Sequence, residues 1–330
     1  MSLSTHQTPI VMALFLKQYP RLKIIQDAAK TRGLKIYLVG GFLRDLLLDR
    51  QGACGALDFD FAIEKDAIGF AQYFARTIKG VFVLLDGENG CARVVKKHEG
   101  RILVFDFADF RAKTLQGDLA HRDFTINTLC VDLEDLKILQ DFKGGQKDLK
   151  RKTIRMLSSK VFREDPLRLL RAFSLRAALG FKIESKTLAQ IKKDRGLLKD
   201  VSLERIRDEF FKILASNRAF ENLKAMDQIG LLEEVIPQIR VMFGVVQGGY
   251  HHLDVWPHSL ETVRQLEKIL EQDVQVCLSS EFKNQPPLPQ EDIAHYLNER
   301  LSGTRLRRDL LKLAALLHDI GKPDTQKQEK

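Results

Sequence analysis

Asp58-Phe59-Asp60 sets two carboxylates two residues apart within Leu57–Ile63, a stretch that alternates like a strand. Side chains at i and i+2 of a strand point to one face. The two acids therefore lie side by side, and Phe59 turns to the opposite face, toward a core. Two carboxylates a few ångströms apart repel unless a divalent cation lies between them. Mg²⁺, with oxygen ligands and phosphate partners, suits such a pair. An ion held there clamps a triphosphate and activates an attacking hydroxyl. Upstream, Gly40-Gly41-Phe42-Leu43-Arg44-Asp45 follows a short apolar run. Glycines opening a helix offer backbone N–H groups to an anion, and Arg44, one turn in, adds a fork suited to phosphate. Asp106, on a later strand before Asp109-Phe110-Arg111, is a candidate third carboxylate. Asp106 and Asp109 would serve equally well as turn caps. Alone, an Asp-x-Asp strand is usually a solvated face and Gly-Gly before a helix is usually a turn. The information lies in their combination.

These residues need a scaffold. Lys35–Val39 reads as a strand ended by Gly40-Gly41, and Phe42–Leu48 as a helix start. Ala67–Ile78 has helical period. Val81–Leu85, Ala92–Lys96 and Arg101–Phe107 read as strands, broken at Asp86–Gly90 and His98-Glu99-Gly100. Strands this close in sequence predict a mixed or antiparallel sheet with helices packed on it, an α+β head over about 1–145. From Leu149 the pattern turns helical: Asp165–Leu179, Leu188–Asp194, Leu203–Ala215, Phe220–Ile229 and Ser259–Glu271, with Gly180 and Gly230 where C-caps belong. This predicts an all-helical neck over about 146–235 and a helical body over 236–330. Leu278–Pro289, with three prolines, reads as a loop.

The motifs run in order. Gly40–Asp45 with Asp58-Phe59-Asp60 resembles the first motif of the class II tRNA nucleotidyltransferase and poly(A) polymerase family, of the polymerase-β-like superfamily. His121-Arg122-Asp123-Phe124-Thr125-Ile126-Asn127 resembles its second, which serves the sugar and nucleotide pocket; His121 stands where the family usually has Arg. Asp141-Phe142-Lys143-Gly144-Gly145 with Asp148-Leu149 and Ile154-Arg155 resembles the motif between head and neck. Glu164-Asp165-Pro166-Leu167-Arg168 resembles the motif that reads the incoming base. Ser202–Ile206 with Glu209 and Lys212 resembles the last motif, in the neck. The resemblance implies a polymerase-β-like head, Mg²⁺ at Asp58 and Asp60, and CTP and/or ATP as substrates. It implies Gly40, Gly41, Arg44, Arg122, Asp123, Asn127, Asp165, Arg168 and Arg171 as nucleotide-binding residues, and a tRNA 3′ end as acceptor. Residue chemistry agrees at the base. A carboxylate accepts from an exocyclic amine while a guanidinium donates to ring acceptors, so an Asp165–Arg168 pair at i and i+3 of one helix would select C and A. The plain alternative for that pair is an ordinary helix salt bridge. Where the family often has Arg, three residues after Arg171, this chain has Ser174.

A second constellation comprises His258, within His251–Leu260, and His318-Asp319 in Leu316–Lys322. It resembles the metal site of HD domains, which adds a further Asp well downstream. These donors suit Mn²⁺ or Ni²⁺. Asp324 is too near to be the distal Asp, so the expectation is an incomplete site, from truncation or decay. Packing and capping histidines are the plain alternative.

Composition sets the bounds. The 330 residues carry a formal charge of +9, are 44% hydrophobic and 29% charged. That describes a globular chain with a core and a leaning toward polyanions. Lys143–Arg155 is the basic stretch proposed to hold the tRNA backbone. Cys54, Cys91, Cys130 and Cys277 form no CxxC pair, which predicts reduced thiols and a cytoplasmic setting. No signal peptide, membrane span or obligate protein partner is expected. Among family activities the choice is CCA, CC, A or poly(A) addition. Only 16 residues separate Asp106 from Asp123, and full CCA-adding members often carry a longer loop there, so the expectation leans to a CC- or A-adding specialist. The readings from other classes are an HD-type phosphohydrolase acting on RNA ends and a catalytically inert RNA-binding protein.

Overall fold

A computed structural model describes residues 20–50, 57–134, 139–246, 253–271 and 290–325. The Leu278–Pro289 loop expectation, Cys54, Cys277, His251 and His252 fall outside them. Packing divides the chain into two compact units at Val161/Phe162.

In the first unit, α1 (Pro20–Arg32) precedes β1 (Ile36–Val39), α2 (Gly41–Leu47), β2 (Leu57–Ile63), α3 (Ala67–Ile78), β3 (Val81–Asp86), β4 (Cys91–His98), β5 (Arg101–Asp109), α4 (Leu115–Ala120), β6 (Cys130–Asp132), β7 (Leu139–Gln140) and α5 (Gly145–Lys150). The strands form one mixed sheet ordered β3-β4-β5-β2-β1-β6-β7. β2 and β5 are its parallel pair, with Asp58 opposite Val104 and Asp60 opposite Asp106. β4 and β5 are antiparallel, joined by the two-residue turn Glu99-Gly100, whose φ values of 49° and 75° are both positive, as a tight hairpin requires.

The pleat sorts the chemistry. On one face Phe59 stacks on Phe105 at 5.2 Å and Phe61 on Phe107 at 5.0 Å, while Phe70 and Phe74 of α3 meet these rings edge-on. Phe42 of α2 closes on Phe59 at 4.9 Å. All seven rings are buried. Period-2 alternation then puts Asp58, Asp60 and Asp106 on the opposite face. The apolar side thus fixes strand register, since a one-residue slip would bring the carboxylates into the aromatic layer.

Asp141–Arg155 is knit into this same unit. Asp148, fully buried, accepts from Thr125 Oγ1 at 2.6 Å and pairs with Arg155, while Thr125 N donates to Arg155 O at 3.0 Å.

The second unit is helical: α6 (Arg168–Leu179), α7 (Ser185–Asp194), α8 (Leu203–Leu214), α9 (Ala219–Gln228), α10 (Val255–Glu271), α11 (Gln290–Asn298) and α12 (Arg307–Leu317). α6 packs on α8, α9 on α10, and α10 on α12. Gly180 ends α6 at φ 68°, and Gly230 follows α9 at φ 71°. A small hairpin of Arg300–Ser302 with Arg305–Leu306 was not anticipated. One boundary is corrected. Asp165 is not on a helix with Arg168: α6 begins at Arg168, because Asp165 stands at its entrance. There Asp165 Oδ1 accepts Leu167 N at 3.3 Å and Asp165 O accepts Arg168 N at 3.1 Å, and Pro166 starts the turn. That is an Asp side chain closing a turn on the backbone two residues on, ahead of the helix N-cap Leu167, and it leaves Asp165 outside the helix. Among the described residues no helix is long and apolar enough to cross a membrane.

Candidate active site

The site is built where β1 hands over to α2. Gly40, the N-cap, has φ 85° and ψ −146°, a conformation open essentially only to glycine. Space demands glycine as well: a Cβ at residue 40 would lie 2.8 Å from Asp60 Oδ2 and 3.0 Å from Arg122 Nη1. Asp60 and Arg122, distant in sequence, therefore converge on the Gly40 backbone. Arg122 Nε is buried and has no hydrogen-bond partner among the described residues. A buried donor of that kind can be met by water or by a bound acceptor.

Arg44 serves as a joint. Its Nε and Nη2 donate to the two Asp45 oxygens, each at 2.9 Å, and its Nη1 donates to Asn127 Oδ1 at 2.8 Å. Asn127 Nδ2 in turn donates to Asp123 Oδ1 at 2.9 Å, which also accepts Phe124 N at 2.8 Å. Asp123 and Asn127 are buried. The chain Asp45–Arg44–Asn127–Asp123 ties the glycine turn to the His121–Asn127 segment. Buried polar groups satisfied in series fix one arrangement of both segments.

Asp106 lies beside Asp60 on the same face. From β4, Arg93 Nε donates to Asp106 Oδ1 at 2.7 Å and Arg93 Nη2 to Asp106 Oδ2 at 2.8 Å. The bond to Asp106 raises the Arg93 pKa, with further help from Asp106, Asp58 and Asp60 as neighbouring charges. Asp109 does a different job: its Oδ1 accepts Ala67 N at 2.8 Å and so caps α3, and burial raises its pKa. The Asp106–Asp123 connection is short and ordered. Thr114 caps α4, and the buried Asp118 holds Arg111.

In the second unit, Asp165 and Arg168 do not pair with each other as an i,i+3 salt bridge. Arg205 Nη2 donates to both Asp165 oxygens at 3.1 and 3.0 Å, and Arg168 pairs with Glu164 at 3.5 Å. Arg171 lies one turn along α6. Glu209, buried, is satisfied by Ser174 Oγ and by Lys212 Nζ at 2.7 Å. The same unit gathers His258, His318 and Asp319, whose ligand atoms all lie within 4.8 Å of one another. Asp319 Oδ2 is 3.7 Å from His258 Nε2, 3.2 Å from His318 Nε2 and 2.7 Å from Lys322 Nζ. His318 Nδ1 is 2.9 Å from Ala315 O, a tie that leaves Nε2 as the ligating nitrogen. Sequence reasoning missed Arg93, and it placed Arg205 and Lys322 in motifs without pairing them with Asp165 and Asp319.

Residues 36–155 match the poly A polymerase head domain, residues 180–242 the probable RNA and SrmB-binding site of polymerase A, and residues 290–330 the HD domain. The chain is 34% identical over 293 residues to an A-adding tRNA nucleotidyltransferase of Deinococcus radiodurans, covering 87% of this chain and 57% of that protein. It is 40% identical over 195 residues to a CC-adding tRNA nucleotidyltransferase of Geobacter sulfurreducens, covering 59% and 44% respectively. The chain thus spans about half the length of the curated relatives it matches. A crystal structure of a tRNA nucleotidyltransferase complexed with a primer tRNA and an incoming ATP analog superposes with a TM-score of 0.64 at 29% identity, over 89% of this chain and 75% of that one.

Proposed function

The chain belongs to the tRNA nucleotidyltransferase and poly(A) polymerase family, and from that premise we propose that it adds C and/or A to tRNA 3′ ends without a template. The reaction is attack by a terminal 3′-hydroxyl on the α-phosphate of CTP or ATP, with release of pyrophosphate. The observation that carries this reading is the convergence of Asp60 and Arg122 on Gly40, beside Asp58 on one face of β2. Two hard oxygen donors on a rigid strand fit Mg²⁺, and Asp58 and Asp60 would hold it. When bound, the ion supplies charge neutralisation at the triphosphate and a more acidic attacking hydroxyl.

The other roles belong to the chain itself. Arg122, with its buried unpaired Nε, binds the nucleotide. Arg44, Asn127 and Asp123 keep the glycine turn and the Arg122 segment in one arrangement. Asp165 and Arg168 read the base, with Arg171 beside them on α6, and the basic stretch Lys143–Arg155 steadies the tRNA backbone. The short, capped connection between Asp106 and Asp123 favours a CC- or A-adding specialist, in keeping with the names of the relatives in Deinococcus and Geobacter.

The test is incubation with tRNAs ending at the discriminator base, at C and at CC, with CTP and ATP supplied separately and the products sequenced. We expect one or two nucleotides on a single class of primer. Long A tails would move the chain to poly(A) addition, and no incorporation on any primer would refute the transferase reading. Asp58→Asn and Asp60→Asn should abolish incorporation and leave tRNA binding largely intact.

A further inference from the structure

The open face of the sheet carries a row that crosses three strands: Arg93 on β4, Asp106 on β5 and Asp60 on β2, each opposite the next. Asp58 stands two residues from Asp60 on the same face. Val83 stands opposite Arg93, and Val95, Val104 and Asp58 form the neighbouring row. Arg93 meets Asp106 side-on, Nε to one oxygen and Nη2 to the other, at 2.7 and 2.8 Å. A fork on a carboxylate at these lengths is the strongest form of this contact. It takes up both Asp106 oxygens.

We propose that Arg93 is a positioning residue that keeps Asp106 out of the cation's ligand set, so that the ion is held by Asp58 and Asp60 alone. The inference rests on the reading of Asp58 and Asp60 as cation ligands. Its physical content is a competition: Asp106 sits in register beside Asp60 on the same face, and Arg93 holds its carboxylate. Mg²⁺ characteristically takes one or two carboxylates and completes its shell with water and phosphate. A third carboxylate would tighten the ion and displace an oxygen that the triphosphate supplies. Arg93 thereby sets how strongly the cation is held before nucleotide arrives.

The test is Mn²⁺ binding to the full chain without nucleotide, read by electron paramagnetic resonance of the free ion, with His258→Ala present throughout to remove the His258, His318 and Asp319 cluster. Asp106→Asn should leave affinity within about twofold when Arg93 is present and weaken it about tenfold in the Arg93→Gln background, the size of effect that outer ligands have on metal sites. Equal effects of Asp106→Asn in the two backgrounds would overturn the proposal. If large, Asp106 is already a ligand; if absent, it never reaches the ion. Arg93→Lys keeps the charge but loses the fork, and serves where Arg93→Gln fails to fold. In that background Asp106→Asn should again weaken binding, and no change there would count against the proposal. Asp58→Asn and Asp60→Asn should each lose most Mn²⁺ binding in every background. Wild-type affinity in both would overturn the cation reading itself, a result distinguishable from a failure at Arg93.

Discussion

Gly40→Ala is the substitution for which the structure gives a magnitude from two independent causes. The backbone cause is φ 85° with ψ −146°, a region that costs a residue with a Cβ about 1–3 kcal/mol. The packing cause is the Cβ itself, 2.8 Å from Asp60 Oδ2 and 3.0 Å from Arg122 Nη1. Relief to an ordinary contact moves one of these groups by roughly half an ångström, and misplacing reacting groups by about 1 Å can cost about 10²-fold in rate. We expect Gly40→Ala to lose about 1–3 kcal/mol in urea denaturation and about tenfold to a hundredfold in single-turnover incorporation. Gly33→Ala is the control. Its φ is 62°, but nothing lies within 4 Å of its Cβ, so it should lose about 1–2 kcal/mol from the left-handed backbone and keep the rate. If Gly40→Ala keeps the wild-type rate and loses no more stability than Gly33→Ala, then Asp60 and Arg122 do not depend on this turn, and the geometry proposed for the site is wrong.

Lys312 and Glu267 form a buried pair at 3.1 Å, and Glu267 also accepts Ala219 N and Phe220 N at the start of α9. Lys312→Met should destabilise the chain by about 3–5 kcal/mol through the unpaired carboxylate, and adding Glu267→Gln should recover part of that in the same denaturation assay. Burial pushes the Cys130 thiol up to about 12. At pH 8 only about one molecule in 10⁴ is then thiolate, so native protein should leave Cys130 unmodified by a thiol-specific reagent, and labelling should rise on unfolding. The His258, His318 and Asp319 cluster should bind Co²⁺ in calorimetry even after Asp58→Asn and Asp60→Asn, and His258→Ala should abolish that binding. Lys322→Met should tighten it by about tenfold, because the ammonium 2.7 Å from Asp319 Oδ2 competes with the ion.

Most of the head was legible because one rule governs it. Period-2 alternation put the phenylalanines on one face and Asp58, Asp60 and Asp106 on the other, and the observed sheet sorts them that way. The Gly40 turn was legible as a turn. Its collision with Asp60 and Arg122 was not, because sequence spacing says nothing about which distant side chain passes over a backbone. Arg44 shows the same limit. Its place one turn into α2 suggested a fork turned to a ligand, but a neighbouring acid, Asp45, and Asn127 from the far end of the head engage all three of its nitrogens.

Arg93 and Asp165 mark two different ways of missing a partner. Arg93 was recoverable. His98-Glu99-Gly100 announces a tight hairpin, and a two-residue loop fixes register. With His98 opposite Arg101, five steps back along β4 reach Arg93 and five steps forward along β5 reach Asp106. A cation and an acid directly opposite on one face are expected to pair. The Asp60–Asp106 neighbourhood was beyond such counting, because a parallel pair joined through α3, β3 and β4 has no turn to set its register. Asp165 was misread for a local reason. Periodicity assigned it to the helix that follows, yet an Asp immediately before proline is itself the mark of a helix entrance. Outside the helix, its carboxylate is not constrained to the face that Arg168 occupies, and Arg205, forty residues along the chain, takes it instead. A base seated on Asp165 would have to compete with that guanidinium, so base selection would be set by the Asp165–Arg205 contact as much as by the spacing of Asp165 and Arg168.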